Sequence, residues 1–549
     1  MLTEWLKLAK FLLHTSRRRT ERAATRALTG LSTEWLNRAM PESQLKDEQP
    51  RFPAEMNRAY PMLIDGQPVT GDDDTVFRCV DPYEDAAWGQ AYAGQESHVD
   101  AAVSAARRAF DESGWSRTTG ADRAARLRSL ADLVDQHADE LVRSQIHENG
   151  KLIGEMSAGI AGLASHARYI ADLAEARTDL VVNTGMALID AFVTQVPVGV
   201  VAAVTPWNSP LTLLAWKLLP ALGAGCTLVI KPSEVTPTST LRLAQLCLEA
   251  GFPPGVVNVV TGFGQPTAEY LVGHPGVDKI AFTGSTRTGQ AVMRAAADGL
   301  KRLTLELGGK SPQIVLRDAD LDRTVHGIMA GIFAATGQTC LAGSRILAEA
   351  PVYDEFVARL AAATASLVLG DPLNPAVDVG PLANRRQLET VLSYLEIGQQ
   401  EGAEAVTGGG RASGSPDLER GYFVEPTVFV NVGTAARIAR EEIFGPVVVV
   451  SRCDSEEDAI AKANDTEFGL AAGVWTENPA AADRVTRALR AGTVWVNTYR
   501  LLHYAMPFGG FKMSGYGREL GADSLAPYSE VKSVWLDQGN PQNFGRKPS

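Results

Sequence analysis

The sequence predicts an α/β protein with a doubly wound, mostly parallel sheet, a second α/β domain and a small extra β element. Short apolar runs alternate with helix-length segments along most of the chain, and strands that alternate with helices usually pair in parallel. The 549 residues, 45% of them hydrophobic, provide enough apolar side chains for more than one core. Charged residues make up 21% of the chain, which is typical of a folded globular protein.

Residues 1–56 form a basic extension that differs from the rest of the chain. The first forty residues hold eight Lys and Arg against three Glu, and their apolar positions have helix-like spacing. Such a segment fits a surface-lying helix, a targeting peptide, or an arm that touches a membrane or a partner. A helical extension without chemistry is the preferred interpretation.

The elements after this extension alternate in type. Apolar positions three and four residues apart predict amphipathic helices over 101–110, 123–147 and 158–176. Brief apolar runs predict the first parallel sheet over 200–204, 227–230, 256–260, 279–282 and 313–315, and a second series over 447–450, 472–475 and 493–496. A hairpin with its turn at Gly185 is predicted over 180–196, and a terminal strand over 528–536. Such peripheral strands have unpaired edges, which commonly pair with another subunit.

Charge and cysteine usage narrow the function classes. The formal net charge of −12 gives no support for a nucleic-acid or anionic-membrane surface, so small-molecule chemistry is favoured. The five cysteines, an odd number without a CxxC pair, fit neither a disulfide framework nor a structural zinc site. No apolar run approaches the roughly 18 residues that span a bilayer. These features predict a cytoplasmic protein without a metal.

The first polar cluster, at residues 205–210, follows a predicted strand. Open α/β sheets bind ligands at the carboxyl ends of their strands, so the Asn208 carboxamide is placed to hold an oxyanion. A cap on the following helix is an equally good interpretation of Asn208 from local sequence.

Lys231 and Glu234 follow the next predicted strand. An acidic residue after a strand often accepts hydrogen bonds from ribose hydroxyls, and a nearby lysine adds a contact. A solvated Lys–Glu surface pair is the alternative.

Two glycine turns suggest phosphate binding. Residues 262–267, with Gly264, resemble only the start of a dinucleotide fingerprint, so this signal is weak. Residues 282–289 run from a strand into a helical pattern and offer backbone N–H groups and the Ser285 hydroxyl at a helix N-terminus. An ordinary glycine turn with a serine cap also fits them.

Glu306 and Cys340 are the candidate reactive groups. Glu306 lies between leucines and before two glycines, where burial raises a carboxyl pKa and produces a general base. A Glu306–Lys310 ion pair is the alternative. Cys340 lies in a polar, glycine-bounded loop, whereas Cys226 and Cys247 lie in apolar contexts typical of inert thiols. A single cysteine is nevertheless more often core than catalytic.

Seven motifs occur together in one order. They are Asn208, Lys231 to Glu234, Gly284 to Thr286, Glu306 to Gly309, Gly337 to Cys340, Glu441 to Pro446 and Pro507 to Gly510. This ordered set resembles the NAD(P)-dependent aldehyde dehydrogenase superfamily over about residues 62–536. The basic extension has no counterpart there and inherits no function.

The resemblance implies a mechanism for three residues. Cys340 would attack the aldehyde carbonyl, and the Asn208 side chain with the Cys340 backbone N–H would hold the thiohemiacetal oxyanion. Hydride transfer to the nicotinamide leaves a thioester, and Glu306 would activate the water that hydrolyses it.

The resemblance also implies where the cofactor lies. Its contacts would come from Trp207, Lys231, Ser233, Glu234, Gly264, Gly284, Ser285, Gly289, Leu307, Glu442 and Phe444. The Glu234 carboxylate would repel a 2′-phosphate, so NAD is favoured over NADP, although Ser233 softens the preference.

By the same resemblance, a mostly apolar tunnel would bind the aldehyde. Its lining would be Ser209, Leu213, Trp216, Ala334, Thr339, Leu341, Leu502, His503 and Phe508. Small residues at Ser209 and Ala334 predict room for a medium or bulky apolar substrate. Trp216 stands where succinate-semialdehyde members commonly have Arg, which disfavours a carboxylate-bearing aldehyde. Arg500, near the tunnel mouth, is expected in a surface ion pair. His503 is expected at the pocket rim or in the core rather than as a catalytic base, because Glu306 already fills that role.

The family architecture implies domain boundaries and a homodimer or homotetramer. A Rossmann-type NAD-binding domain would span 57–177 and 198–308, and a catalytic domain 309–513. An oligomerisation element would comprise 178–197 and 514–540, followed by a tail over 541–549.

Three other functions remain to be separated from aldehyde oxidation. A CoA-acylating semialdehyde dehydrogenase would pass its thioester to CoA, but the Glu306 carboxylate argues for hydrolysis. A Cys–His hydrolase or esterase would use Cys340 without a dinucleotide, although no histidine lies in a comparable motif. A non-enzymatic protein on the same scaffold is disfavoured by the complete set of Cys340, Glu306 and Asn208.

Overall fold

The computed structural model describes residues 58–71 and 75–539. The predicted extension over 1–56 and the tail over 541–549 lie outside the described residues. Within those residues, strands form an eight-stranded sheet, a seven-stranded sheet and two three-stranded sheets.

The strands are β1 (Ala59–Tyr60), β2 (Met62–Ile64), β3 (Gln67–Val69), β4 (Val76–Asp81), β5 (Ala86–Tyr92), β6 (Leu180–Val182), β7 (Ile189–Pro197), β8 (Val200–Val204), β9 (Thr227–Lys231), β10 (Val257–Val259), β11 (Lys279–Thr283), β12 (Arg302–Glu306), β13 (Pro312–Val315), β14 (Arg345–Glu349), β15 (Glu404–Thr407), β16 (Thr427–Val430), β17 (Val447–Cys453), β18 (Ala471–Trp475), β19 (Thr493–Val496), β20 (Gly515–Tyr516) and β21 (Ser529–Asp537). The α-helices are α1 (Glu96–Asp111), α2 (Gly120–Gln136), α3 (Ala138–Asn149), α4 (Ile153–Glu175), α5 (Pro210–Ala224), α6 (Thr238–Glu249), α7 (Glu269–Gly273), α8 (Thr286–Asp298), α9 (Leu321–Ile332), α10 (Ala350–Ala365), α11 (Arg385–Gln400), α12 (Pro416–Arg420), α13 (Arg437–Arg440), α14 (Glu456–Asn464) and α15 (Pro479–Ala488).

The eight-stranded sheet has the order β20-β12-β11-β8-β9-β10-β2-β3. Strands β12, β11, β8, β9 and β10 pair in parallel, and antiparallel strands close both edges. All five residues of β8 and of β9 are buried, because helices cover both faces of the sheet. The register pairs Val204 with Lys231 and Thr283 with Glu306. The carboxyl ends of β8, β9, β11 and β12 therefore lie on the same side of the sheet.

The seven-stranded sheet has the order β15-β16-β17-β14-β13-β18-β19 and is parallel except for β15. One prediction was wrong here: 313–315, expected in the first sheet, is β13 and pairs with β14 and β18. The chain passes two glycines, Gly308 and Gly309, between β12 and β13. Local sequence predicts a strand there but does not determine which sheet it joins.

The predicted hairpin and terminal strand form a three-stranded antiparallel sheet, β21-β7-β6. Gly185, at φ +71°, lies in the connection between β6 and β7, where a left-handed conformation favours glycine. The other three-stranded sheet, β1-β5-β4, was not predicted. The domain boundaries drawn from the resemblance stay a prediction.

The segment predicted as helical over 123–147 is two helices, α2 and α3, because the chain leaves helical geometry at His137 (φ −102°, ψ 19°). The periodicity continues across this break because both helices bury apolar side chains, such as Leu130 and Ile146, in the same core. In the part of the chain that the structure describes, no helix has both the length and the apolar character to cross a membrane.

Candidate active site

A strained turn presents Cys340. After α9 the chain passes through Ala335, Thr336 and Gly337 at φ +54°, +54° and +69°. A β-branched residue such as Thr336 rarely adopts this conformation, so the surroundings must hold it there. The Thr336 hydroxyl donates to the Gly380 carbonyl at 3.0 Å, and the Ala335 N–H donates to Glu155 Oε1 at 2.7 Å.

Gly337 completes this turn. A Cβ on it would lie 2.0 Å from the Gly445 carbonyl oxygen, so only glycine fits. The turn therefore fixes the direction in which the chain reaches Cys340.

Cys340 differs from the other four cysteines, which are all buried, by retaining some exposed surface. Its side chain packs at the edge of the apolar core that contains Leu341 and Phe508. Burial of the thiol raises its pKa to about 12, and the Glu442 and Glu306 carboxylates also raise it. The resting thiol is therefore protonated and needs a base to become a nucleophile.

Asn208 lies against the Cys340 loop. Its Nδ2 donates to the Gln338 carbonyl at 2.9 Å, which orients the carboxamide and leaves a second N–H. The helix cap of α5 is Ser209, so the interpretation of Asn208 as a cap was wrong. Asn149 Nδ2 donates to the Trp207 carbonyl at 3.3 Å and connects this loop to the end of α3.

Glu306 ends β12 and is buried, and neither of its carboxylate oxygens has a hydrogen-bond partner. Burial raises its pKa well above the usual value, and the Glu519 carboxylate raises it further, while Lys217 and Arg518 oppose the shift. The alternative pair with Lys310 does not form, because the Lys310 ammonium also lacks a partner.

Sequence reasoning missed a buried ion pair next to Glu306. Lys217 Nζ donates to Glu519 Oε1 at 2.7 Å and to the Thr283 hydroxyl at 2.6 Å, and all three side chains are buried. The second Glu519 carboxylate oxygen has no partner. One sequence signal was available: Lys217 is the single charged residue in the apolar helix α5.

On the predicted cofactor side, Lys231 Nζ lies 3.6 Å from Glu234 Oε2. The lysine side chain is only 4% exposed whereas that of Glu234 is 43% exposed, so this is not a solvated surface pair. Burial lowers the Lys231 pKa, and Glu234 opposes that shift. The Ser233 hydroxyl lies 3.5 Å from the same carboxylate.

Ser285 caps helix α8. Its hydroxyl accepts from the Thr288 N–H at 3.3 Å, as the serine-cap interpretation predicted. Ser285 follows the buried strand β11 and Gly284 and is itself exposed. A Cβ on Gly289 would lie 2.4 Å from Leu307, so this glycine lets α8 pack closely against Leu307.

Gly264 begins a separate turn over Gly264–Ala268. A Cβ placed on it would meet nothing within 4 Å, so packing does not require glycine there.

Glu442, Phe444 and Trp207 come together from both large sheets. Glu442 Oε1 accepts from the Gly309 N–H at 2.9 Å, and burial raises the Glu442 pKa to about 7. The Trp207 and Phe444 rings meet edge to face at 5.3 Å. Two predicted cofactor contacts distant in sequence are therefore neighbours.

The predicted aldehyde tunnel has an apolar inner part. Leu213, Trp216, Leu341 and Phe508 share one core, with the Trp216 and Phe508 rings edge to face at 5.2 Å. Of the remaining predicted lining residues, Ser209, Ala334 and Thr339 keep some exposed surface.

A cavity of about 430 Å³ includes three of the predicted lining residues, Trp216, Leu502 and His503, together with small residues of α4 such as Gly162. Leu502 and His503 are exposed, which places them at its rim. Arg500 Nη1 lies 3.9 Å from Glu155 Oε1, and each side chain is about one quarter exposed. This is the ion pair that was expected for Arg500.

Comparison with known proteins identifies the family. Residues 69–534 match the model of the aldehyde dehydrogenase family. The chain is 45% identical to a putative aldehyde dehydrogenase, DhaS, of Bacillus subtilis over 477 residues, covering 87% of this chain and 95% of the relative. The chain belongs to the aldehyde dehydrogenase family.

Solved structures of aldehyde dehydrogenases have the same fold as this chain. A betaine aldehyde dehydrogenase of Staphylococcus aureus in complex with NAD+ superposes with a TM-score of 0.87 at 36% identity, covering 89% of this chain and 97% of that one. An NAD+ complex of a Bacillus cereus aldehyde dehydrogenase gives 0.85 at 43% identity, covering 88% and 98%. The predicted fold and the predicted class, an NAD-dependent aldehyde dehydrogenase, are confirmed, and the hydrolase and CoA-acylating alternatives are not favoured.

Proposed function

We propose that this aldehyde dehydrogenase oxidises an aldehyde to the carboxylic acid with Cys340 as nucleophile, Asn208 as oxyanion donor and Glu306 as general base. One observation carries the assignment: a thiol beside a buried carboxylate that has no partner. A buried carboxylate without a hydrogen-bond partner costs free energy. The unpaired Glu306 is explained if a reacting water or the nearby thiol becomes its partner during the reaction.

The chain's residues act in two stages. The Cys340 thiol loses its proton to water, and its sulfur bonds to the carbonyl carbon. The free N–H of Asn208 with the Cys340 N–H then stabilises the oxyanion. Bound NAD supplies the oxidising power by accepting a hydride. Glu306 then takes a proton from a water that attacks the thioester, and the Cys340 thiolate leaves the acid product.

The residues present fit NAD. The exposed cap of α8 at Ser285 offers the N–H groups of the first helical turn for the pyrophosphate. Gly284 and Gly289, whose own N–H groups donate to the Glu306 and Ser285 carbonyls, would contact the cofactor without a side chain. Lys231, Ser233 and Glu234 would contact the adenosine ribose, and the partly exposed Glu234 carboxylate favours NAD over NADP. Trp207, Gly264, Leu307, Glu442 and Phe444 complete the proposed contacts.

An apolar tunnel wall supports a substrate with a hydrocarbon portion. Leu213, Trp216, Leu341 and Phe508 would contact it near Cys340, and Ser209, Ala334, Thr339, Leu502 and His503 would lie toward the mouth. The small side chains at the cavity leave room for a medium or bulky group.

The protein is proposed to act as a homodimer or homotetramer. The sheet β21-β7-β6 exposes Leu180, Val181, Val531, Trp535 and Leu536, an apolar surface that a second copy would cover. Light scattering after gel filtration tests the assembly, and a monomer at micromolar concentration would contradict it. The cytoplasmic assignment rests on the free cysteines.

The deciding experiment is absorbance at the NADH band during incubation with NAD and a panel of aliphatic, aromatic and semialdehyde substrates. We expect NADH and the carboxylic acid in equal amounts. Ester hydrolysis without NADH from any aldehyde would overturn the proposal, and acyl-CoA as the product would replace hydrolysis with acyl transfer.

A further inference from the structure

The start of helix α4 contacts both loops of the proposed reaction centre. Lys151, two residues before the helix, is buried, and its Nζ donates to the Ser209 hydroxyl at 2.6 Å. Glu155, in the first helical turn, accepts from the Ala335 N–H at 2.7 Å with its Oε1. Ser209 follows the proposed oxyanion donor, and Ala335 lies in the strained turn that presents the nucleophile. One helix end therefore holds two loops that must meet around the reacting carbonyl.

The Ala335 N–H needs an acceptor because helix α9 stops before it. The helix ends at Ile332. In a continued helix Ala335 would donate to the Gly331 carbonyl, but that carbonyl accepts from the Gly343 N–H at 3.2 Å. A buried backbone N–H without a partner is costly. The Glu155 carboxylate supplies the missing acceptor from a different helix.

This contact matters because the turn is strained. Ala335 and Thr336 both have φ +54°, a conformation that residues with side chains keep only when their surroundings hold it. Two other contacts on the turn, made by the Thr336 hydroxyl and the Gln338 carboxamide, join neutral groups. A hydrogen bond to a carboxylate is stronger than one between neutral groups. The loss of Glu155 should therefore loosen the turn more than the loss of either neutral contact.

The surroundings of Glu155 leave it with this one task. Its Oε2 is buried without a hydrogen-bond partner, so the bond from Ala335 is the one that this carboxylate makes among the described residues. Arg500 Nη1 lies 3.9 Å from Oε1, which favours the charged carboxylate. Neither Lys151 nor Glu155 lines the 430 Å³ cavity. Their influence on the reaction therefore passes through the loops that they hold.

We propose that Glu155 is a positioning residue: by holding the Ala335 N–H, it keeps the Cys340 sulfur aligned with the oxyanion donor. Lys151 holds the opposite loop through Ser209. This inference rests on the proposed aldehyde oxidation and deepens it, because it assigns the group that sets the geometry of the first step.

The first measurement is the rate constant of the first turnover, from stopped-flow NADH absorbance at saturating NAD and aldehyde. Glu155→Met keeps the length of the side chain but removes the acceptor, and we expect a loss of about tenfold to a hundredfold because a misaligned nucleophile reacts slowly. Glu155→Gln keeps an acceptor oxygen and should lose less than about threefold. Glu175→Met, which removes a carboxylate paired with Arg128 at the other end of α4, is the matched control and should lose nothing.

A second variant covers the case in which Glu155→Met does not fold. Glu155→Asp keeps the charge but withdraws the oxygens by about one carbon–carbon bond, so they no longer reach the Ala335 N–H. It should lose nearly as much as Glu155→Met. A first-turnover rate that stays at the wild-type value in the folded variants without this contact overturns the proposal.

A double-mutant cycle separates positioning from general destabilisation. In the Asn208→Ala background, Glu155→Met should cost less than about threefold, because the donor with which the sulfur must align has been removed. An equal fold loss in the two backgrounds would mean that Glu155 acts through stability alone and would overturn the proposal.

Hydrogen exchange tests the contact without any aldehyde. The peptide that contains Ala335 should exchange faster in Glu155→Met than in the wild type, Glu155→Gln and Glu175→Met. Unchanged exchange overturns the positioning assignment even if activity falls. If the wild type oxidises no aldehyde in the panel, the proposed function is wrong, and the exchange rate still decides whether Glu155 holds this turn.

Discussion

The proposed reaction centre and the proposed cofactor side of this site differ in whether their polar side chains have hydrogen-bond partners. Around Cys340, the Glu306 carboxylate is buried without any hydrogen-bond partner. On the cofactor side, Lys231 pairs with Glu234, Ser285 caps α8 and Glu442 accepts from Gly309. Under the proposed function, the reaction centre keeps an unpaired carboxylate for which the reaction would supply a transient partner, whereas the cofactor side has contacts that a bound cofactor would exchange or extend.

The largest effect should come from the thiol. Cys340→Ala removes the nucleophile, so we expect NADH production to fall to background while NAD binding, measured by calorimetry, is retained. Cys247→Ala, which changes a buried cysteine in another part of the fold, is the control and should still produce NADH. Retained turnover in Cys340→Ala would reject the nucleophile assignment.

Glu306→Gln should separate the two stages. The neutral amide cannot take a proton from water, so we expect one rapid burst of NADH per site followed by a stall at the acyl-enzyme. Because the Glu306 pKa is raised, wild-type hydrolysis should speed up with pH as the carboxyl loses its proton, and the variant should lose this dependence. Stopped-flow absorbance measures both, and Glu477→Gln serves as a surface control. Undiminished steady-state turnover would mean that another group activates the water.

Asn208→Ala should lower kcat by about a hundredfold to a thousandfold, the usual effect of removing one oxyanion donor. The donor acts on charge that develops only in the transition state, so KM for the aldehyde should change little. Steady-state kinetics with one good aldehyde checks this. A large rise in KM with kcat preserved would show that Asn208 binds substrate rather than the oxyanion.

The smallest effect should lie on the cofactor side. Glu234→Gln removes one negative charge from a partly exposed position, where repulsion at 4 Å is worth about 1 kcal/mol, so the kcat/KM ratio of NADP to NAD should rise about fivefold. The measurement is the same NADH or NADPH assay at one aldehyde concentration. An unchanged ratio would place the 2′-position of the cofactor away from Glu234.

Much of the fold was predictable because local patterns determine individual strands. The apolar run at 200–204 matches β8 residue for residue, since a strand buried on both faces is apolar at every position. Sheet membership was not predictable for 313–315, because pairing depends on residues such as Arg345 that lie far along the chain. The break at His137 was missed because the apolar period continues across it.

In the candidate site, too, some features were predictable from local sequence and others depend on long-range contacts. The residues in family motifs, such as Cys340 and Glu306, were named from their sequence context. Outside those motifs lie Lys217, Glu519 and Lys151, whose partners could not be predicted because they are distant in sequence. Lys217 and Glu519 are 302 positions apart, and Lys151 and Ser209 are 58 positions apart.

The sequence alone predicted which residues are candidates for the chemistry and which segments are strands or helices, because side-chain type and apolar periodicity are local properties. The tertiary structure decided which groups are neighbours, which carboxylates are buried and in which direction their pKa values shift. Those quantities depend on distances and solvent exclusion between segments hundreds of residues apart, and both are set only when the two large sheets and their helices pack together.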